Sequence, residues 1–155
     1  MFFLGLMYEF GFGVEKSAKR AFNYYLQSSD LDYPAAKNKI GDCYFSGYGV
    51  REDREMAIGC YLEAADLNNA DAMVNLGTIY LNGIPGLVER NYTKAYDNFV
   101  KAMDLDNSDA MIHLSYMYRN GLGFESDQEM AKKLLEESAK NRNSTALYML
   151  KELGG

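Results

Sequence analysis

Residues 36–65 read AKNKIGDCYFSGYGVREDREMAIGCYLEAA. The apolar residues of this stretch recur at steps of three and four, at Ala36, Ile40, Cys43, Ala57, Tyr61 and Ala64. Such spacing is typical of helices that carry one apolar stripe, and the alternation expected of a strand is absent. Gly47 and Gly49 separate the two halves, and glycine readily adopts the left-handed backbone that ends a helix. The stretch therefore predicts two helices joined by a tight turn.

The same pattern recurs along the whole chain. The aliphatic residues that match Ile40 lie 36, 36, 38 and 36 residues apart, at Leu4, Ile40, Leu76, Leu114 and Leu150. This period predicts repeats at approximately 1–33, 34–69, 70–107 and 108–143, followed by a final helix at 144–153. The two additional residues of the third repeat lie in a glycine- and proline-containing segment, which predicts a surface loop at 83–88.

Capping residues support these helix starts. A side chain that can accept a hydrogen bond from a free backbone N–H precedes seven of the eight, namely Ser17, Asn69, Asp53, Asn91, Asn107, Asp127 and Asn143. Tyr33 precedes the eighth, but Pro34 follows at the first helical position, where its missing N–H does no harm.

Three glycines lie inside the first helix of a predicted pair, Gly5, Gly41 and Gly77. Glycine in a helix interior costs about 1 kcal/mol relative to alanine. We expect this cost to be offset by a close approach between the helix and its neighbour. A single helix pair cannot bury both of its faces, so adjacent repeats should stack.

Composition narrows the possible functions. The chain of 155 residues is 48% apolar and has a net charge of −6, which predicts one folded domain over residues 1–155. The basic residues form no patch that would bind nucleic acid, and no apolar stretch approaches the roughly 20 residues needed for membrane insertion. Residues 1–7 are apolar but lack the positive charge of a secretory signal, which favours the cytoplasm and leaves a secretory or periplasmic location open for a longer chain.

Few residues suggest chemistry. His113 is the only histidine, which leaves no pair for a metal site and disfavours a Ser-His-Asp arrangement, so we expect no metal, no cofactor and no catalytic residue. Cys43 and Cys60 lack CxxC spacing and are predicted to be small buried thiols. The alternative, a disulfide within the repeat, would require an oxidising compartment.

The order of these residues, A-x-x-x-L-G-x-x-Y-x-x-G-x-G-V-x-x-D-x-x-x-A-x-x-x-Y-x-x-A-A, resembles the SEL-1-like repeat, a relative of the tetratricopeptide repeat. The resemblance recurs four times and covers nearly the whole chain. Departures include Ser115 for glycine and Phe124 for valine in the fourth repeat. The resemblance implies an all-α fold of about nine helices, an α/α superhelix of the right-handed solenoid type, and a scaffold or adaptor rather than an enzyme.

The resemblance also implies a binding surface. In related repeats the first helix of each pair lines a concave groove, which here would hold a peptide or protein partner. Spacing nominates as groove residues Phe2, Leu6, Phe10, Asn38, Asp42, Phe45, Val74, Thr78, Leu81, Asn82, Ile112, Tyr116, Arg119 and Asn120. These combine apolar anchors with asparagines that can bond a peptide backbone. The alternative for Phe10, Phe45 and Leu81 is that they pack between repeats.

Two other functions stay open. Apolar residues near the ends could join copies of the chain into a homo-oligomer, namely Phe2, Phe3, Leu4, Leu147, Leu150 and Leu153. Equally, the chain could be a structural fragment of a longer repeat array. Some members of the resembling family have been linked to cell-wall or β-lactam chemistry, which implies a hydrolase as a third function. The sequence contains no S-x-x-K motif to support it.

Overall fold

The computed structural model describes residues 1–29 and 33–154, with side chains as far as residue 152. Within that part of the chain it contains nine α-helices and no strand, which confirms the predicted fold class. The helices are α1 (Phe2–Phe10), α2 (Ala18–Ser29), α3 (Pro34–Ser46), α4 (Arg54–Asp66), α5 (Ala70–Asn82), α6 (Tyr92–Met103), α7 (Ser108–Asn120), α8 (Gln128–Lys140) and α9 (Ser144–Gly154). We call α1, α3, α5 and α7 the A helices and α2, α4, α6 and α8 the B helices.

The helices begin where the capping residues predicted. The Asp53 carboxylate accepts a hydrogen bond from the Met56 N–H at 2.9 Å, and the Asn107 side chain accepts one from the Ala110 N–H at 3.0 Å. Equivalent bonds are made by the other predicted caps, Ser17, Asn69, Asn91, Asp127 and Asn143. Helix α3 begins at Pro34 without a side-chain cap, also as predicted.

Glycine ends the A helices. Gly47, at the end of α3, has φ 70°, and Gly121, at the end of α7, has φ 62°, both in the left-handed region. The insertion of the third repeat forms a closed loop, because the N–H groups of Ile84 and Val88 each donate to the other residue's carbonyl, at 2.8 and 2.9 Å. Leu87 at its tip is exposed, whereas Ile84 is buried and anchors the loop.

The chain divides into two compact units, residues 1–72 and 73–155. In the first unit α1 packs against α2, α2 against α3 and α3 against α4, around a core that includes Phe22, Tyr25 and Ile40. In the second unit α6 to α9 pack in the same successive manner, and Phe99 and Leu114 are almost fully buried. This succession is the stacking of helix pairs that the period predicted. The assignment of residues 1–155 to one domain stays a prediction.

The glycines inside the A helices permit the expected close approach. A methyl group built on Gly41 would lie 2.5 Å from Cε1 of Tyr61, and one built on Gly77 would lie equally close to Phe99. Real side chains do not tolerate such distances, so the B-helix ring requires a glycine beneath it. In the fourth repeat the matching residues are Ser115 and the smaller Leu135, and both are buried.

Candidate functional site

The A helix of the fourth repeat carries several of the exposed residues of the predicted surface. Ile112, Tyr116 and Arg119 follow one another at steps of four and three, which places them on one face of α7. Tyr116 is 49% exposed and Arg119 is also exposed. The Arg119 side chain makes no ion pair or hydrogen bond with any residue that the structure describes. An aromatic ring and a free guanidinium therefore lie side by side on this face.

Two predicted asparagines already bond to their own helices. The side-chain amide of Asn120 donates to the Tyr116 carbonyl at 2.8 Å, and that of Asn82 donates to the Thr78 carbonyl at 3.1 Å. Thr78 in turn donates to the Val74 carbonyl at 2.9 Å. The side-chain oxygens of both asparagines are not used in these bonds, so each amide keeps an acceptor for a partner.

A pocket of about 210 Å³ opens beside Tyr116, between α7, α8 and the next helix, α9. Its lining comprises Ser115, Tyr116, Arg119, Gln128, Ala131, Lys132, Leu135 and Met149. Sequence reasoning found Tyr116 and Arg119 but not the B-helix side of this pocket. The signal was present, because Ser115 and Leu135 both depart from the glycine and aromatic residue of the other repeats.

In the first unit the predicted residues divide between surface and packing. Phe10 is exposed and stacks on Phe12, with ring centroids 5.5 Å apart, while Nζ of Lys39 lies 5.8 Å above its ring. Phe2 instead packs inward, with its ring 5.6 Å from that of Tyr25. Phe45 is partly buried, with the Arg54 guanidinium 5.5 Å above its ring. Only Phe10 of these three aromatic residues offers a largely open ring.

Two of the nominated residues are almost inaccessible. Asn38 and Leu81 are each only 7% exposed, so neither side chain is open to a partner. The burial of Leu81 agrees with the alternative that it packs between repeats. The burial of Asn38 differs from the exposed position that its spacing predicts. The other nominated residues with partial exposure are Leu6, Asp42, Val74 and Thr78, and Asn82 is exposed.

Sequence reasoning missed a set of polar contacts that joins α1, α2, α3 and α4. The Tyr25 hydroxyl donates to one oxygen of Glu9, and Lys39 donates to the other at 3.0 Å. The Tyr61 hydroxyl donates to Asp42 at 2.9 Å. Burial raises the pKa of Tyr25 and of Tyr61, and each tyrosine's carboxylate partner raises its pKa further, so both remain neutral donors. Burial also raises the pKa of Asp42, against the lowering effect of the Tyr61 hydrogen bond and of Lys39.

The B helix α8 has a different kind of surface. Lys133 pairs with Glu129 at 2.9 Å, and Lys140 pairs with Glu137 at 2.8 Å. The two residues of each pair are about one helical turn apart. Pairs of this kind contribute only a few tenths of a kcal/mol, but they leave each charge with a partner in its own helix. We call the face of α8 that carries these two pairs its outer face. Its four charges have partners in the same helix, in contrast to Arg119 on α7.

The residues considered for chemistry have structural surroundings. The His113 ring stacks on Phe99 with centroids 4.8 Å apart, and burial lowers the pKa of His113 while Asp109 opposes that shift. Both cysteines are free; Cys43 is buried as predicted, and burial raises its pKa to about 12, whereas Cys60 is partly buried. In the part of the chain that the structure covers, His, Cys, Asp and Glu form no group of three or more that could hold a metal ion.

Of the described helices, none combines the length and the apolar character required to cross a bilayer. Phe3 on α1 is 73% exposed, and Leu147 and Tyr148 on α9 are exposed as well. Leu4 and Leu150 are partly accessible, and the side chain of Leu153 lies outside the described residues.

Comparison with known proteins agrees with this repeat architecture. A family model described as Sel1 repeat matches residues 1–33, 34–69, 70–107 and 108–143. A search of curated protein sequences gave no match.

Solved structures of repeat proteins resemble the chain over nearly its whole length. A Sel1 repeat protein from Oxalobacter formigenes is 28% identical with a TM-score of 0.86, and covers 96% of this chain and 60% of its own. A protective antigen present in uropathogenic Escherichia coli strains, which displays an SLR fold, is 27% identical with a TM-score of 0.83. That match covers 98% of this chain and 32% of the antigen. The chain thus spans under two thirds of either relative. Helicobacter pylori cysteine rich protein B, 24% identical with a TM-score of 0.65 over 88% of this chain and 97% of its own, shares the fold.

Proposed function

We propose that this chain, which belongs to the Sel1 repeat family, is a non-catalytic scaffold that binds a protein segment along the exposed faces of its A helices. Sel1 repeat proteins are generally scaffolds for protein–protein interaction and are typically non-catalytic. The observation that carries the proposal is the contrast between α7 and α8. Exposed Tyr116 and unpaired Arg119 lie on the A helix, whereas Lys133 of the B helix pairs with Glu129 of the same helix.

Aromatic residues and arginine are the side chains most often responsible for affinity at protein interfaces. A guanidinium without an intramolecular partner loses no ion pair when it binds a carboxylate, so its contribution to affinity is not offset by a broken contact. Asn82 and Asn120 add acceptors that would bond the backbone N–H groups of an extended segment. In the first unit, Phe10 is the exposed aromatic residue that would serve as an anchor.

The test uses peptides selected for binding to the immobilised chain from a random display library. Each peptide is titrated by fluorescence anisotropy against the parent chain, against Y116A/R119A and against the control E129A/K133A, which removes an ion pair from the outer face of α8. We expect Y116A/R119A to weaken binding at least about fivefold, since an interface anchor contributes more than about 1 kcal/mol. The control should bind like the parent.

Circular dichroism and the melting temperature of both variants separate binding from folding. Equal losses in the two variants, or a loss only in the control, would contradict the proposal. F45A extends the test to the first unit, with weaker binding and unchanged helicity expected. A collapse of the melting temperature of F45A would show that Phe45 belongs to the core.

A second candidate function is self-association, which the exposed apolar residues Phe3, Leu147 and Tyr148 favour. Burying such side chains against a second copy would remove apolar surface from water, at about 25 cal/mol per Å². Sedimentation equilibrium across concentration tests this candidate. Self-association predicts a concentration-dependent mass that L147D/Y148D abolishes, and a constant monomer mass would exclude it.

A further inference from the structure

The pocket of the fourth repeat lies where the other repeats place an aromatic ring. In the first three repeats the B helix supplies Tyr25, Tyr61 or Phe99, and each ring covers a glycine of its A helix. In the fourth repeat the matching residues are Leu135 and Ser115, and both line the pocket. Leucine is shorter than tyrosine or phenylalanine, so it fills less of the volume beside the A helix. The pocket therefore lies next to the position where the other three repeats carry an aromatic ring.

Its size fits one ring from a partner. The pocket measures about 210 Å³. An apolar cavity of roughly 150 Å³ is sufficient to hold benzene. Leu135 and Met149 provide apolar walls, and a methionine adapts its shape and makes favourable contacts with aromatic rings.

The charge at the mouth of the pocket indicates what should accompany the ring. Arg119 occupies the position that Glu9 holds in the first repeat, and Glu9 there accepts a hydrogen bond from the Tyr25 hydroxyl. The carboxylate of the first repeat is thus replaced by a cation with no partner among the described residues. Lys132 adds a second positive charge, and its contact with Glu136, at 3.9 Å between exposed side chains, is weak.

We propose that this pocket receives an aromatic side chain of a partner segment, and that a carboxylate next to that side chain binds Arg119 and Lys132. The inference rests on the proposed function, because it specifies the chemistry of the segment that the A-helix face would hold. The bound ring would complete the contact that Tyr25, Tyr61 and Phe99 make within the chain. The carboxylate would form the charge-assisted contact that Arg119 lacks.

Three small probes separate the ring from the charge. They are 3-phenylpropionate, 3-phenylpropanol and 3-phenylpropylammonium, which share one ring and differ in their polar group. Each is titrated into the full chain while methyl NMR signals of Leu135 and Met149 are followed. We expect saturable shifts with 3-phenylpropionate, at least about threefold weaker binding of the alcohol, and the weakest binding of the ammonium. Added salt should weaken only the carboxylate probe toward the alcohol.

Two variants locate the site. S115G/L135F rebuilds the glycine–phenylalanine pair of the third repeat, so it should fold, fill the pocket and abolish probe binding. R119Q/K132Q should reduce the affinity for 3-phenylpropionate to that for the alcohol and leave the affinity for the alcohol unchanged. Circular dichroism and melting temperature confirm that both variants fold.

The proposal is overturned if 3-phenylpropionate gives no saturable shift at Leu135 and Met149. It is equally overturned if S115G/L135F, folded, binds as the parent does, or if the ammonium binds as well as the carboxylate. Selected peptides that still lose affinity in Y116A/R119A would then show that the A-helix face binds by another chemistry. Failure of the peptide test alone, with the probes bound as expected, would show a ligand pocket without a protein-binding face.

Discussion

The second and fourth repeats build the same helix pair from different residues. In the second repeat Tyr61 covers Gly41 and its hydroxyl donates to Asp42 at 2.9 Å. In the fourth, Leu135 and Ser115 take the matching positions, and a pocket of about 210 Å³ remains beside them. The helix pair tolerates both solutions. One core position of the repeat can therefore hold either a ring or a smaller side chain beside a pocket without a change of fold.

The largest effect should come from adding a methyl group beneath the ring. G41A places a carbon 2.5 Å from Cε1 of Tyr61, and such overpacking costs about 1–3 kcal/mol, against a gain of about 1 kcal/mol in helix propensity. We expect a net loss of up to about 2 kcal/mol in the free energy of urea unfolding. The control is G59A in α4, where nothing lies within 4 Å of the added carbon. It should stabilise the protein by up to about 1 kcal/mol.

The residues of the fourth repeat suggest a second substitution that should reduce the loss of stability caused by G41A. G41A/Y61L imitates the smaller pair, so its loss should be less than the sum of the losses from G41A and Y61L, by about 1 kcal/mol or more. Additive losses would show that the glycine and the ring do not depend on each other.

The next effect concerns the hydroxyl that the second repeat has and the third lacks. Y61F leaves Asp42 without its 2.9 Å donor and should destabilise the protein by about 1–2 kcal/mol. D42T/Y61F reproduces the pair Thr78 and Phe99 of the third repeat and should recover most of that loss. If the double variant is no more stable than Y61F, the hydrogen bond is not the reason for the loss.

A smaller effect is the pH dependence of stability that arises from the contact between His113 of the fourth repeat and Phe99 of the third. His113 stacks on Phe99, and burial lowers its pKa, so the unfolded chain binds the proton more readily than the folded chain. The stability that neutral His113 contributes is therefore present above the unfolded pKa of about 6.5 and is lost as the pH falls below it. Urea midpoints at pH 7.5 and 5.5 should differ more in the parent than in H113F. Equal differences would exclude His113 as the cause.

The smallest expected effect on stability is at the pocket mouth. R119Q removes a charge that has no partner among the described residues, so the free energy of unfolding should change by less than about 0.5 kcal/mol. The same variant should weaken 3-phenylpropionate binding about threefold. A large loss of stability would mean that Arg119 serves the fold rather than a ligand.

Local patterns predicted the fold because the forces that start and stop these helices are local. Asp53 and Asn107 cap their helices through bonds to N–H groups three residues away, and Gly47 and Gly121 end α3 and α7. The close approach at Gly41 could also be predicted, because it recurs in register with the ring of the B helix.

The site was less predictable because it depends on contacts between helices. Spacing alone placed Asn38 and Leu81 on the open face, whereas the packing of neighbouring elements buries both. The bonds that Glu9 makes with Tyr25 and Lys39 join three helices, and no periodicity within one helix predicts them. The pocket could have been inferred from Ser115 and Leu135 together. Ser115 replaces the glycine of the other repeats, and Leu135 replaces the aromatic ring that covers that glycine.

A crystal structure of the chain with a selected peptide would show where a partner segment binds. We expect the peptide to lie against α7, with an aromatic ring between Leu135 and Met149 and a carboxylate within hydrogen-bonding distance of Arg119. A peptide bound to the outer face of α8, with the pocket unoccupied, would contradict this expectation.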